Sequence, residues 1–208
     1  VNSRGVRKTD RWLLESGYFS LYSLPFRMSS SFDNMLFSKL ASYLQKLEET
    51  TSRNTITEIL AQVLKEAKPQ EIGKLCYLLQ GRVAPLYEAT EFGVAEKFII
   101  RAIAKACSIK TDSVLKEFKR VGDLGLVAEN FRGGKGNRGD KGNVTDVYHL
   151  LRDMALMGGV GSQERKIDVL AELFEHADGL SCRYIARIPL DKLRLGFSDM
   201  TILDSLSW

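Results

Sequence analysis

The chain has 208 residues, of which 44% are hydrophobic and 27% are charged, so it can bury one sizeable core as globular proteins do. Its net charge of +4 is too small to identify a nucleic-acid-binding protein, and any such site must come from local clusters of cations. No run reaches the roughly 20 apolar residues that cross a bilayer, and the three cysteines and two histidines are too scattered for a zinc site. We expect a soluble, intracellular protein with reduced thiols and no bound metal or cofactor.

Residues 1–34 differ from the rest of the chain in their periodicity and charge. Their aromatic residues follow no helical or strand period, and over residues 1–27 the cations outnumber the two acids, Asp10 and Glu15. These cations are Arg4, Arg7, Lys8, Arg11 and Arg27. We expect a leader or extension outside the core fold, and its origin as a native leader, a targeting segment or a cloning remnant stays open.

From Met35 onward the sequence has the period of amphipathic helices. Apolar residues between 36 and 47 share one helical face, and Thr55 with Glu58 forms a capping-box pattern that opens a helix over 56–66. Pro69 suits the first turn of the next helix, which we expect to stop near Gly81. Further helix starts follow at three places, Gly93, Thr111 and Gly122.

The second half begins after a loop rich in glycine, lysine and arginine at 132–143. This loop contains a G-x-G-x-x-G string that follows no strand, so it indicates a basic loop rather than a dinucleotide site. Thr145 and Ser162 are expected to cap two helices, and the last two helices follow Gly179 and Gly196. No stretch alternates with period two. The sequence predicts an all-α domain of about ten to twelve helices over 35–208, with halves at about 35–131 and 144–208.

Two pairs of segments resemble each other in the same order along the chain. Residues 58–67 match 168–177 at an offset of 110, and residues 92–104 match 195–207 at an offset of 103. The second copy therefore has a connection that is seven residues shorter. This order predicts an internal duplication with pseudo-two-fold symmetry.

The duplicated glycines suggest a function. Gly93 and Gly196 each precede a helix that begins with an acid, Glu96 or Asp199. A glycine-led helix start leaves backbone N–H groups pointing outward at the positive end of the helix dipole, which suits a phosphate. The alternative is that both glycines are ordinary turn residues and the acids satisfy those N–H groups.

Local charge favours the second copy as the phosphate site. Cations crowd the approach to Gly196, and the first copy has a thinner equivalent in Arg82. A third glycine-led start, at Gly161, is followed by Lys166 and can be either a phosphate loop or a flexible connection. The two histidines, His149 and His176, have no nucleophile or carboxylate arranged around them in the sequence, so we predict no catalytic residue.

Residues 35–208 resemble the N-terminal DNA-binding domain of ATP-dependent DNA ligases of the archaeal and eukaryotic type. The resemblance covers some 170 residues and rests on an ordered set of motifs, each weak alone. The principal motifs are Phe37–Leu40, Leu79–Arg82, Glu91–Lys97, Gly161–Lys166 and Lys192–Asp199. The chain departs from the family in residues 1–34 and in the glycine-rich loop.

The resemblance implies an all-helical domain that binds nicked duplex DNA through its backbone and minor groove, with little sequence preference. Together with the charge pattern it predicts one set of DNA-contacting residues. They are Arg82, Gly93, Lys97, Gly161, Ser162, Lys166, Arg183, Arg187, Lys192, Arg194, Gly196 and Ser198.

The resemblance also implies which partners the chain has and which chemistry belongs to other domains. The expected partners are double-stranded or nicked DNA and the adenylation and OB-fold domains that follow in the family. ATP and Mg²⁺ belong to that catalytic part, and no K-x-D-G adenylation motif lies within the chain. We therefore expect a monomer that is not an enzyme by itself, cytoplasmic if archaeal and nuclear if eukaryotic. The rival hypothesis, from the duplication alone, is a helical-repeat scaffold for protein partners.

Overall fold

The computed structural model describes residues 34–133 and 142–208. The predictions for residues 1–33 and for the centre of the glycine-rich loop, 134–141, lie outside the described residues. The described part contains ten α-helices and one short 3₁₀ helix, Ile188–Leu190, and no strand, so the all-α prediction is confirmed. The helices are α1 Phe37–Glu48, α2 Arg53–Glu66, α3 Pro69–Leu79, α4 Glu96–Cys107, α5 Thr111–Val121, α6 Leu124–Gly133, α7 Val144–Leu156, α8 Ser162–His176, α9 Gly179–Arg187 and α10 Asp199–Leu206.

Three predicted helix starts are displaced by local capping. Ser52, not Thr55, caps α2, and its hydroxyl accepts from the Thr55 N–H at 3.5 Å. Asn143, not Thr145, caps α7 by accepting from the Asp146 N–H at 2.8 Å. Gly161 ends the turn before α8 in the left-handed conformation (φ +76°), so Ser162 is the first helical residue and not the cap. In each case the helix begins at an earlier residue than the spacing of apolar residues predicts.

The helices share one continuous hydrophobic core. The apolar faces of α1, α2, α7 and α8 are buried in it, including fully buried Phe37, Leu60 and Leu151. Burial of each such side chain contributes about 1.5–3 kcal/mol. An isolated antiparallel bridge between Leu36 and Asn143 joins the start of α1 to the start of α7. Within the described ranges, no helix is both long enough and apolar enough to cross a membrane.

Helices α6 and α9 pack very closely because a glycine lies between them. A Cβ atom on Gly125 would lie 2.7 Å from the Arg183 carbonyl oxygen and 2.8 Å from Nε of Arg187. Real Cβ atoms do not approach that closely, so only glycine fits at this position of α6. This contact holds α9, and the 3₁₀ turn that follows it, against the first half of the chain.

The duplicated helices pack reciprocally. The aligned segments make α2 equivalent to α8 and α4 equivalent to α10. Helix α4 of the first half packs on α8 of the second half, and α10 of the second half packs on α2 of the first. Each half therefore packs its glycine-led helix against the other half.

Candidate nucleic-acid interface

The turns at Gly93 and Gly196 have the same backbone path. Both glycines are left-handed, at φ +57° and +72°. Two residues later, Ala95 (φ −102°, ψ 167°) and Ser198 (φ −106°, ψ 171°) are the N-caps of α4 and α10. Neither N-cap side chain bonds the first turn, so no cap blocks the outward N–H groups. The local sequence similarity thus corresponds to the same conformation.

The acids that begin these two helices form ion pairs across the halves. Arg82 donates to Asp199 at 2.8 Å, and Lys192 donates to Glu96 at 2.7 Å. The pairs are themselves equivalent, because Arg82 and Lys192 are separated by 110 positions and Glu96 and Asp199 by 103. Two of the predicted phosphate-binding cations are therefore engaged by carboxylates beside the two turns.

Arg187, a predicted DNA-contacting residue, lies in the protein interior. Only 5% of its surface is exposed, and its guanidinium donates to Glu48 at 2.9 Å and to Asp123 at 3.0 Å. It is therefore not presented to solvent as a surface cation. The guanidinium links α1 to the start of α6 and holds α9 between them.

Arg183 lies beside it in the same network. Its Nε donates to Glu129 at 2.6 Å, and the adjacent Tyr184 hydroxyl donates to Glu48 at 2.9 Å. Their closeness to Gly196 in the chain predicts that Arg183 and Arg187 lie beside that turn. Their acidic partners are more than 50 positions away, and no local pattern marks them.

The network sets the ionisation of its acids. Burial alone would raise the pKa of Asp123, but hydrogen bonds from Arg187 and from the backbone N–H of Leu126 outweigh it and lower that pKa. Burial, followed by the hydrogen bond to Glu48, raises the pKa of the Tyr184 hydroxyl far above its ordinary value. Asp123 is therefore a charged carboxylate and Tyr184 a neutral phenol at neutral pH.

Arg194 differs from the other cations of this segment. It is exposed, adopts a left-handed backbone conformation (φ +51°), and forms no ion pair with the described part of the chain. Its neighbours Leu193 and Leu195 are both buried, so the backbone on either side is fixed. The side chain therefore projects from an anchored segment directly before Gly196. Lys97, on the first turn of α4, is likewise exposed and without an ion pair among the described residues.

An open pocket of about 380 Å³ lies beside the Gly196 turn. Gly196, Phe197, Ser198 and Thr201 form one wall. The other wall is Thr51, Arg53 and Ile56, at and before the start of α2. Arg53 also donates to Asp204 at 3.2 Å, which joins α2 to α10. No local pattern marks Thr51, Arg53 and Ile56, because they are 140 or more positions from Gly196 in the chain.

The Gly161 turn directly precedes α8, whose Lys166 reaches the Gly93 turn. Arg165 donates to the carbonyl oxygens of Val160 and Gly158 at 3.1 and 3.0 Å, so the glycine-rich connection is braced by hydrogen bonds. Lys166 reaches from α8 to the Phe92 carbonyl oxygen at 2.5 Å. The structure thus brings Lys166 to the Gly93 turn, and Gly161 and Ser162 lie just before Lys166 in the chain.

The described residues contain no group of histidine, cysteine and acidic side chains suited to hold a metal ion. Cys76, Cys107 and Cys182 form no disulfide within the described residues, and burial raises the pKa of the Cys76 thiol. The interface in this part of the chain is built from backbone turns, hydroxyls and cations.

Comparison with known proteins places the chain in one family. A profile of the DNA ligase N terminus matches residues 36–207, which include both glycine turns and every helix. The chain belongs to the DNA ligase N-terminus family. The match begins after Met35, so residues 1–35 lie outside it.

Relatives with similar sequences are ligases of bacteria and archaea. A probable DNA ligase of Dictyoglomus thermophilum is 40% identical over 174 residues, which are 84% of this chain and 29% of that protein. The DNA ligase of Pyrobaculum calidifontis is 38% identical over 180 residues, covering 83% and 31% respectively. The DNA ligase of Methanocaldococcus jannaschii is 33% identical over 180 residues, with the same shares. This DNA ligase N-terminal chain therefore spans about three tenths of the length of these relatives.

Proposed function

We propose that this chain binds the sugar–phosphate backbone of duplex DNA at nicks, as the DNA-binding part of an ATP-dependent DNA ligase. The observation that carries the proposal is the pair of equivalent glycine turns, each opening an uncapped helix start outward. Two such starts related by pseudo-two-fold symmetry suit the two antiparallel strands of a duplex. The family membership supports DNA as the polyanion.

Arg194 is the central cation of the proposed contact. It is exposed, projects from a fixed backbone, and lies next to the open pocket at Gly196. An arginine in this setting suits a phosphate or the negative potential of a minor groove. Ser198 adds an exposed hydroxyl, and Gly196 allows the DNA backbone to approach closely.

The proposed binding is insensitive to base sequence because the interface consists of cations, hydroxyls and backbone N–H groups. Such contacts position a protein on a duplex but do not read the bases. Adenylation and strand joining then belong to further domains, and ATP and Mg²⁺ serve those domains. Incubation of the isolated chain with labelled ATP should leave no covalent adenylate on it. A labelled chain would contradict the assignment of adenylation to further domains.

Fluorescence anisotropy with a nicked duplex, over a series of salt concentrations, tests the proposal. The Arg194→Ala variant should bind about fivefold more weakly, and its slope of log K against log salt should fall by about 0.9. Lys116→Ala removes an exposed, unpaired cation from α5 and is the charge-matched control, expected to match the unmodified chain. Equal affinity and equal slope for Arg194→Ala and the unmodified chain would refute the assigned contact.

One observation favours a protein partner as a second candidate. Helix α10 exposes three large apolar side chains, Met200, Leu203 and Leu206, which suit a contact with another protein surface. This candidate predicts binding that does not weaken steeply with salt. Comparison of the titration at two salt concentrations therefore separates it from backbone binding.

A further inference from the structure

Lys166 is a nearly buried cation without a counter-ion. Only 7% of its surface is exposed, and its ammonium has one hydrogen-bond acceptor, the Phe92 carbonyl oxygen at 2.5 Å. No carboxylate of the described residues forms an ion pair with it. The acids in the first turns of α4 and α8, Glu96 and Glu164, are engaged by Lys192 and Arg101. Burial lowers the pKa of Lys166, as expected for a desolvated ammonium.

A buried charge without a counter-ion is strongly unfavourable unless another group compensates it. One carbonyl oxygen satisfies one of the three ammonium donors and leaves the net charge in place. The expected compensation is an anion from outside the chain. The surroundings of the ammonium decide whether an anion can reach it.

Gly93 lies between the ammonium and solvent. Gly93 is exposed, and a Cβ atom at this position would lie 3.2 Å from Nζ of Lys166. The missing side chain thus leaves space directly against the buried ammonium. The uncapped first turn of α4 and the exposed Lys97 lie beside the same turn, so several groups that favour an anion converge there.

The equivalent position in the other half shows that the fold does not require a lysine here. Position 56 of α2 corresponds to position 166 of α8 at the offset of 110, and it holds isoleucine. Ile56 is buried beside the Gly196 turn and packs against the open pocket there. The same helical position accepts an apolar side chain in one half and a buried ammonium in the other.

We propose that Lys166 and the Gly93 turn form a single-phosphate site that binds one phosphodiester of the DNA backbone through a buried ammonium. This inference rests on the proposed function and deepens it. The Gly196 turn contacts the duplex through the exposed Arg194, and the Gly93 turn contacts it through a cation beneath the surface. The two halves thus share a backbone path and differ in the way they hold a phosphate.

The test compares Lys166→Met and Lys166→Ile, the second of which copies position 56, with the charge-matched Lys116→Ala. DNA affinity is measured by anisotropy well below the unfolding temperature, and Tm is measured in sodium phosphate and in sodium chloride at equal ionic strength. We expect both Lys166 variants to bind nicked duplex about tenfold more weakly, with a Tm in chloride equal to or above that of the unmodified chain. Phosphate should raise the Tm of the unmodified chain more than that of either variant.

Three results would overturn the site. They are unchanged DNA affinity in both variants, a large fall in Tm with affinity retained in the folded protein, and equal protection of all chains by phosphate. Protection by inorganic phosphate that depends on Lys166, together with unchanged DNA affinity, would assign the site to free anions and overturn its assignment to DNA. A failure of the proposed function looks different, because the unmodified chain would then not bind the duplex at any salt concentration.

Discussion

The Arg82 guanidinium donates to both carboxylate oxygens of Asp199, at 2.8 and 3.0 Å, and so links the segment after α3 in one half to the first turn of the last helix in the other. Lys192 and Glu96 form the equivalent link in the opposite direction. In both ion pairs, a carboxylate binds the cation at the position where we propose that a phosphate approaches. In the proposed contact, the carboxylates would therefore compete with DNA for the same cations.

Neutralising Asp199 should strengthen DNA binding. Asp199→Asn frees Arg82 and removes a negative charge from the proposed phosphate path, so we expect about two- to fivefold tighter binding to nicked duplex in low salt. Asp112→Asn, which neutralises an exposed acid at the start of α5, is the matched control. Weaker binding by Asp199→Asn than by the control, measured by anisotropy, would mean that the ion pair organises the contact and does not compete with it.

Replacing Arg187 should reduce stability and leave DNA binding intact. Arg187→Met leaves Glu48 and Asp123 without their buried partner, and because both acids are partly exposed we expect a loss of about 2–3 kcal/mol in the free energy of unfolding. Urea denaturation measures the loss, and anisotropy on the folded protein measures DNA affinity. A stable variant that binds DNA several-fold more weakly would show that Arg187 contributes to DNA binding.

Two helical glycines should respond in opposite directions to the same substitution. Gly125→Ala places a methyl group 2.7 Å from the Arg183 carbonyl oxygen, and we expect it to destabilise the fold by about 1–3 kcal/mol. Gly73→Ala meets nothing within 4 Å in the middle of α3 and should stabilise by about 0.4–1 kcal/mol. Urea denaturation of both variants checks the pair. Similar changes in both would show that α6 and α9 can separate without cost.

Stability should fall in acid through Asp123. Its pKa is lowered on folding, so the unfolded chain binds a proton more readily and the stabilisation is lost as pH falls through the folded pKa. The free-energy difference between the unmodified chain and Asp123→Asn should therefore be constant above about pH 5 and shrink below about pH 4. Chemical denaturation at pH steps from neutral to acid measures it. If this free-energy difference stays constant into strong acid, ionisation of Asp123 is not the source of the pH-dependent loss of stability.

The helical fold and the two turns could be predicted because their determinants are local. Apolar residues with helical spacing mark the buried faces, and glycines at 93 and 196 mark left-handed turns that other residues rarely adopt. The displaced starts of α2, α7 and α8 show the limit of this approach. Capping depends on which side chain reaches a free N–H group, and the apolar spacing does not report it.

The long-range contacts could not be predicted from local patterns. Arg187 and Arg194 are both arginines in one basic stretch, yet one lies in the interior and the other is exposed. The difference arises from Glu48 and Asp123, which the fold brings to Arg187 from distant segments. The motif Gly161–Lys166 singles out Lys166 as a candidate, but the burial of Lys166 depends on α4 packing over α8 and no local pattern reports it.

The exchange of α4 and α10 between the halves has a consequence for how such a molecule can arise. A single ancestral half would leave its glycine-led helix without a surface on which to pack, and would leave its own packing surface uncovered. Two identical copies that traded this helix would satisfy both needs, as in a domain-swapped homodimer. Gene duplication followed by fusion would make that exchange permanent and free each copy to diverge. Under that history, the isoleucine at 56 and the lysine at 166 would mark the divergence of two once-identical subunits.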